Sequence, residues 1–109
     1  MNKLLLLLLL IPFGTIAQTI YSVDQEYKAD VKVYVVDQEY KADLLVYKQD
    51  QEYKADGNKG LWYFVDQEYK AKKKIFFVDQ EYKADLLVYF VDQEYKADWK
   101  NSSKQHLMY

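Results

Sequence analysis

Asp24-Gln25-Glu26-Tyr27-Lys28-Ala29-Asp30 is a heptapeptide that the chain writes six times. It returns unchanged at 37–43, 50–56, 79–85 and 92–98, and at 66–72 with Lys72 in place of the last Asp. The copies start 13, 13, 16, 13 and 13 residues apart. Self-similarity at a fixed period signals one small structural unit used repeatedly, each unit burying its apolar part against its neighbours. It also leaves few singular residues from which a unique chemical site could be built.

Ahead of each heptapeptide stand six mostly apolar residues, at 18–23, 31–36, 44–49, 60–65, 73–78 and 86–91. The third is always apolar (Ile20, Val33, Val46, Trp62, Ile75, Val88) and the fourth always aromatic (Tyr21, Tyr34, Tyr47, Tyr63, Phe76, Tyr89). β-branched and aromatic runs of this length read as strands. Gln-Glu-Tyr-Lys-Ala is made of helix formers but is too short to nucleate a helix alone. The heptapeptide is therefore read as a turn opened by its first Asp, then a short extended piece or tight turn.

Both faces of each strand are apolar: Leu86, Val88 and Phe90 point one way, Leu87, Tyr89 and Val91 the other. Either a second layer, which the polar half can supply, covers each strand, or the tyrosines lie across the sheet with their hydroxyls in water. Tyr27, Tyr40, Tyr53, Tyr69, Tyr82 and Tyr95 each precede an Ala by two places, which predicts a packed Tyr–Ala pair per unit. Core and sheet packing is the first reading of all twelve tyrosines. An exposed tyrosine surface for glycan or protein is the second.

Gly57-Asn58-Lys59 interrupts the period after the third unit, and Gly57-Asn58-Lys59-Gly60 is the strongest turn signal after residue 17. The chain divides there into halves, 18–59 and 60–105, of three units each. The expected fold is all-β: a small closed antiparallel repeat fold of six 13-residue units in a pseudo-twofold 3+3 arrangement. The alternative is a short two-coil β-solenoid with three units per coil.

Met1-Asn2-Lys3, the apolar run 4–11, the break at Pro12 and Gly14, and the small-x-small Thr15-Ile16-Ala17 together read as a secretory signal peptide over 1–17, cleaved after Ala17. The run is shorter than the roughly 20 apolar residues of a spanning helix. The expectation is a secreted or periplasmic protein beginning at Gln18, with no membrane span after cleavage. A single domain, 18–109, follows, with a C-terminal cap at 99–109. It has no cysteine, so disulfides cannot reinforce a domain this small. The chain has 15 basic and 17 acidic residues, interleaved, for a net charge of −2. No basic stripe meets a phosphate backbone, which argues against nucleic acid; Lys70, Lys72, Lys73 and Lys74 are read as a solvated strand end.

The units Ala29-Asp30-Val31-Lys32-Val33-Tyr34, Ala42-Asp43-Leu44-Leu45-Val46-Tyr47 and Ala84-Asp85-Leu86-Leu87-Val88-Tyr89 carry a resemblance. So do Gly60-Leu61-Trp62-Tyr63-Phe64, Lys74-Ile75-Phe76-Phe77 and the ending from Trp99 to Tyr109. The chain resembles a family of small secreted proteins of Bacteroidota, with relatives in animals, built from tandem 13-residue Ala-Asp-x-x-Val-Tyr repeats. Asp98 and Lys100 depart from the Gly and Arg usual there. The resemblance implies a secreted repeat fold and brings no activity with it.

Each heptapeptide offers carboxylates, such as Asp79, Glu81 and Asp85, that oxygen-binding Ca²⁺ could use. The spacing is not that of a calcium loop, and a Lys sits in every copy, so solvated turn carboxylates are the plainer reading. His106 is the one histidine, too little for zinc. With Ser102 or Ser103 it is too thin for a hydrolase triad. No catalytic, cofactor-binding or metal residue is assigned, no cofactor is expected, and the protein is read as a non-enzymatic structural or interaction module presenting a repetitive Tyr/Asp surface. Its expected partners are protein or glycan, or further copies of itself. Calcium binding and self-assembly into a matrix are the alternatives. Any local function is expected where the pattern breaks: 57–60, Trp62, 72–74 and the tail.

Overall fold

The computed structural model describes residues 16–109. Apart from Ile16 and Ala17, the segment read as a signal peptide lies outside the described residues. Each apolar half is a strand: β1 (Thr19–Ser22), β2 (Val31–Val35), β3 (Leu44–Lys48), β4 (Leu61–Phe64), β5 (Lys73–Phe77) and β6 (Leu86–Phe90). Each heptapeptide holds one 3-10 turn at Glu-Tyr-Lys, from Glu26–Lys28 to Glu94–Lys96. Three residues is a usual length for such a helix.

The six strands close into a barrel in the order β4-β1-β5-β2-β6-β3, with β3 pairing back onto β4. Every pairing in the barrel is parallel. A seventh strand, β7 (Asp98–Trp99), lies outside and runs antiparallel to β3. The expected antiparallel fold is therefore wrong. So is the two-coil solenoid, because the coils do not stack. The chain winds twice around the barrel, and strands of the first half alternate with strands of the second.

Stagger is what permits this. Parallel strands ordinarily need a crossover of a dozen residues or more to run back to the starting level. Here Ser22, the end of β1, and Val31, the start of β2, both face Ile75 of β5. The connection has only to step sideways over one strand, about 10 Å for two strand spacings. Eight residues, 23–30, form that strap. The same step recurs in β4 to β5, where the strap crosses β1, and in the other units.

Four of the six straps are pinned at both feet to the strand they cross. Val23 N–H donates to Ile75 O at 2.8 Å, and Asp30 N–H to Lys74 O at 2.7 Å. Carbonyls of adjacent strand residues point to opposite sides, so the strap arches over β5. Straps 36–43, 65–72 and 78–85 bind β6, β1 and β2 in the same way. The closing Asp adds a second bond. Asp30 Oδ2 accepts from Lys74 N–H, Asp85 Oδ2 from Lys32 N–H and Asp43 Oδ2 from Leu87 N–H, each at 2.9 Å. The carboxylate completes a ladder that the main chain has left, because an unpaired strand N–H is costly. Where Lys72 replaces Asp, the partner position holds Thr19, and its Oγ1 accepts from Lys72 N–H at 2.8 Å.

The third strand positions, Ile20, Val33, Val46, Trp62, Ile75 and Val88, are all 0% exposed and form the central layer of the barrel. Val31, Leu44 and Leu86 fill the layer nearer the strand starts, joined by Met108 from the tail. A smaller outer core of Val36, Ala42 and Leu45, flanked by Tyr34, Leu87, Tyr89 and Val91, lies between strap and barrel. The strap is thus the second layer that apolar outer faces demand. Its Val and Ala make the contact.

The insertion has a topological cause. Strap 49–56 arches over β4 and lands beside the start of β1, where Gln18 N–H donates to Ala55 O and Ala17 bridges Asp56. The next strand must occupy the slot between β3 and β1, so the chain turns back through Gly57 (φ 73°) and Gly60 (φ 92°). The tail then crosses the N-terminal mouth. Trp99 Nε1 donates to Asn58 O, Gln18 Nε2 donates to Met108 O, and Met108 is fully buried.

Candidate functional site

A 3-10 turn at Glu-Tyr-Lys places the three side chains on different sides, and the following Ala against the barrel. The repeat tyrosines consequently point outward: Tyr27, Tyr40, Tyr53, Tyr69, Tyr82 and Tyr95 are 74–81% exposed. The predicted Tyr–Ala packing pair does not form. Ala42 and Ala55 are buried, while the ring two residues earlier stands in solvent. The strand aromatics Tyr21, Tyr34, Tyr47, Tyr63, Phe76 and Tyr89 behave as the packing reading expects and are half-buried. One strap crosses each barrel strand, so the exposed rings encircle the molecule, one over every strand.

The carboxylates of the repeat are largely committed. In four of the six copies the opening Asp meets the Lys four residues on: Asp37–Lys41 and Asp50–Lys54 at 3.7 Å, Asp79–Lys83 at 3.8 Å, Asp66–Lys70 at 3.9 Å. These pairs are exposed and contribute little to stability. The closing Asp serves the ladder as above. Asp79, Glu81 and Asp85, the residues weighed for calcium, do not converge: the first pairs with Lys83, and the third binds Lys32 N–H of the strand beneath its strap. Among the described residues no group of three or more His, Cys, Asp or Glu is placed to hold a metal ion. Glu39, Glu52, Glu81 and Glu94 hold no ion pair among the described residues, so four of the six displayed tyrosines have an uncommitted carboxylate beside them.

Grooves run between neighbouring straps. Glu52 faces Tyr63, Asp66 and Lys70 across a space of about 380 Å³. Glu39 faces Tyr89, Asp92 and Lys96 across an equivalent space of about 280 Å³. The two are the same arrangement built by different repeats: an aromatic wall, two carboxylates and an ammonium. His106 Nδ1 lies 3.1 Å from Ser103 O, at the end of the 3-10 helix Ser102–Met108. It bonds to the main chain of that helix, with no serine hydroxyl as its partner.

The pattern breaks are structural in the first instance. Gly57 and Gly60 turn the chain back, Trp62 fills the barrel centre edge-on to Phe64 and Phe90 at 6.0 and 6.5 Å, and Lys72 answers Thr19. Asp43 is the hub that sequence reading missed. It is buried, its Oδ2 accepts from Leu87 N–H and from Lys104 Nζ at 3.2 Å, and its Oδ1 accepts from Asn101 Nδ2 at 3.3 Å. Its carbonyl takes both Lys100 N–H and Asn101 N–H. Its copy of the heptapeptide is letter-for-letter ordinary, so no signal in the sequence marks it.

A family model described as the 7(1) septoil knot domain matches residues 17–100. No curated protein and no solved structure matches the chain. The winding accounts for the knot. Passing twice around the barrel, the chain lays each strap over a strand of the barrel, six times. A two-turn path closes into a single loop only with an odd number of crossings, so the seventh arises where the path is closed. Backbone knots are essentially absent from ordinary folds; here they follow from short straps and interleaved halves.

Proposed function

The chain belongs to the septoil knot domain family, and we propose that it is a secreted, non-enzymatic interaction module whose barrel displays six tyrosine-tipped straps to a repetitive extracellular partner, a glycan or a protein. The observation that carries this reading is the exposure of all six repeat tyrosines, 74–81%, on a strap whose other apolar residues are turned inward. An exposed ring adds nothing to a core. It does supply a broad amphipathic contact at low entropic cost, which is why tyrosine is enriched at recognition surfaces. Six weak contacts of one kind gain through effective concentration when the partner is itself periodic. The signal-like segment supports secretion. The multiplication of one carboxylate arrangement sixfold supports binding over catalysis, since catalysis needs one group made unlike the rest.

The test is retention of soluble and insoluble polysaccharides and of extracellular proteins on the immobilised domain, with Tyr→Ser changes made at one, three and six straps. The expected result is a few-fold loss for one change and abolition for six. Equal retention by the six-change variant, or retention of nothing by the native domain, overturns the reading.

A further inference from the structure

We infer that the six repeat tyrosines, Tyr27, Tyr40, Tyr53, Tyr69, Tyr82 and Tyr95, are sites at which copies of this chain are joined covalently, ring to ring, by oxidative coupling. The inference shares with the proposed function the exposed rings and the extracellular setting, and it needs no bound partner. Its first support is where the oxidisable side chains lie. The chain has no cysteine, so the usual extracellular cross-link is closed to it. Among the described residues, Met108 and Trp62 are 0% exposed, and Trp99 is half-buried with its Nε1–H donated to Asn58 O. The strand tyrosines Tyr21, Tyr34, Tyr47, Tyr63 and Tyr89 are half-buried as well. The readily oxidised groups that stand open are phenols: the six repeat tyrosines and Tyr109, seven of the twelve tyrosines.

The second support is the mount. Each repeat ring rises from a turn closed by its own backbone bond, Ala N–H to Glu O, at 3.0–3.1 Å in all six copies. The close ring pairs among the described residues are Trp62 with Phe64 and Trp62 with Phe90; no repeat tyrosine is in one. The displayed rings are therefore free of the core and of one another, and a link made at one leaves the barrel packing as it was. Coupling requires two oxidised rings to meet. The fitting partner is one as dense in open tyrosines as this chain, which is a second copy. With a ring over every strand, links leave the molecule all around the barrel.

The oxidant is hydrogen peroxide acting through a haem peroxidase. Each of two phenols loses one electron and one proton and becomes a phenoxyl radical. The two radicals pair their electrons in a carbon–carbon bond between ring carbons ortho to the oxygens. Each of those carbons then releases its hydrogen as a proton and each oxygen takes one up, which restores both phenols. The peroxide O–O bond breaks, and the two electrons and two protons removed turn one peroxide into two waters. A chain with one open tyrosine can only dimerise by this route, whereas one with seven branches into a network.

The experiment treats the full chain with a haem peroxidase and hydrogen peroxide, then reads denaturing gels, dityrosine fluorescence and mass spectra of the tryptic peptides. The expected result is a ladder running up to material too large to enter the gel. The links, each marked by the loss of two hydrogens, should fall on the repeat tyrosines and Tyr109, with the five strand tyrosines spared. Changing all six repeat tyrosines Tyr→Phe keeps every ring and removes the phenols; this variant should stop at dimers joined through Tyr109. The peptide map of the native chain decides the matter should that variant fold poorly. A native chain that stays monomeric, links placed on the strand tyrosines instead, or a sixfold variant that builds the same network overturns the inference. A native chain that fails to couple yet retains a glycan or protein strikes this inference alone; one that couples as described and retains nothing strikes only the proposed function.

Discussion

Replacing Asp43 by Ala should cost far more than the same change at Asp30, although the two occupy the same place in identical heptapeptides. At Asp30 the change removes one bond, from Lys74 N–H at an exposed site, and the strand N–H can turn to water. The expected cost is about 1 kcal/mol. At Asp43 three side-chain bonds go, from Leu87 N–H, Lys104 Nζ and Asn101 Nδ2. The carboxylate is mostly buried, its side chain 12% exposed against 36% for Lys104. A part-buried N–H left without an acceptor costs roughly 1–3 kcal/mol, and the charged bond adds about 1 kcal/mol once its half-exposed lysine is discounted for solvent. The sum is about 3 kcal/mol. In a domain of this size that lowers the melting temperature by roughly 12–20 °C, against about 5 °C for Asp30→Ala. Thermal unfolding followed by circular dichroism measures both. Carboxypeptidase should also trim Tyr109 and Met108 faster from Asp43→Ala, because the tail has lost its anchor. Equal melting temperatures for the two variants, with equal trimming, would show that the tail is not held from Asp43 and would refute the reasoning.

Other outcomes follow from single contacts. Gly60→Ala should be severely destabilising, since a Cβ there runs into Leu45 O at a φ of 92°; Gly57→Ala, at φ 73° with open space around it, should cost only about 1 kcal/mol. A melt of each variant decides this, and near-equal losses would be contrary to the turn described. Gln49→Val restores the residue found in the other five units and removes a buried Nε2 that has no partner, so it should raise the melting temperature by several degrees; a fall would mean that the amide is satisfied. Cutting the chain between Gly57 and Asn58 should leave the halves associated in native gel filtration. Every barrel pairing joins a strand of one half to a strand of the other, so each half alone should show no β-structure by circular dichroism. An independently folded half would contradict the interleaving.

What the sequence made legible was local. β-branched and aromatic content marked the six apolar halves as strands, and an apolar second face such as that of Leu87 called for a covering layer. Both hold, because burial is written into each side chain. The strand direction was not legible. Short connections usually mean antiparallel neighbours, and only the stagger that sets Ser22 level with Val31 lets eight residues join parallel strands; no single residue encodes a stagger. The tyrosines misled for a related reason. A ring two places before an Ala suggests a pair along an extended segment, but in a 3-10 turn the two diverge, so Ala42 goes in and Tyr40 goes out. The Gly57–Gly60 punctuation marked where the repeat period breaks, while its task of turning the chain back beside β1 needs the whole winding to be seen. Asp43 was invisible because its distinction lies in its neighbours.

The claim at the centre is that the repeat tyrosine is a displayed group and the rest of the heptapeptide is its mount. Replacing Tyr27, Tyr40, Tyr53, Tyr69, Tyr82 and Tyr95 together by Ser separates the two roles, since all six rings are about three-quarters exposed or more. Surface changes of this kind usually shift stability by less than about 0.5 kcal/mol each. The sixfold variant should therefore keep its barrel circular dichroism and melt no more than about 20 °C below the native domain. A variant that is unfolded at room temperature would mean that the six rings hold the structure together, and the display account would fall.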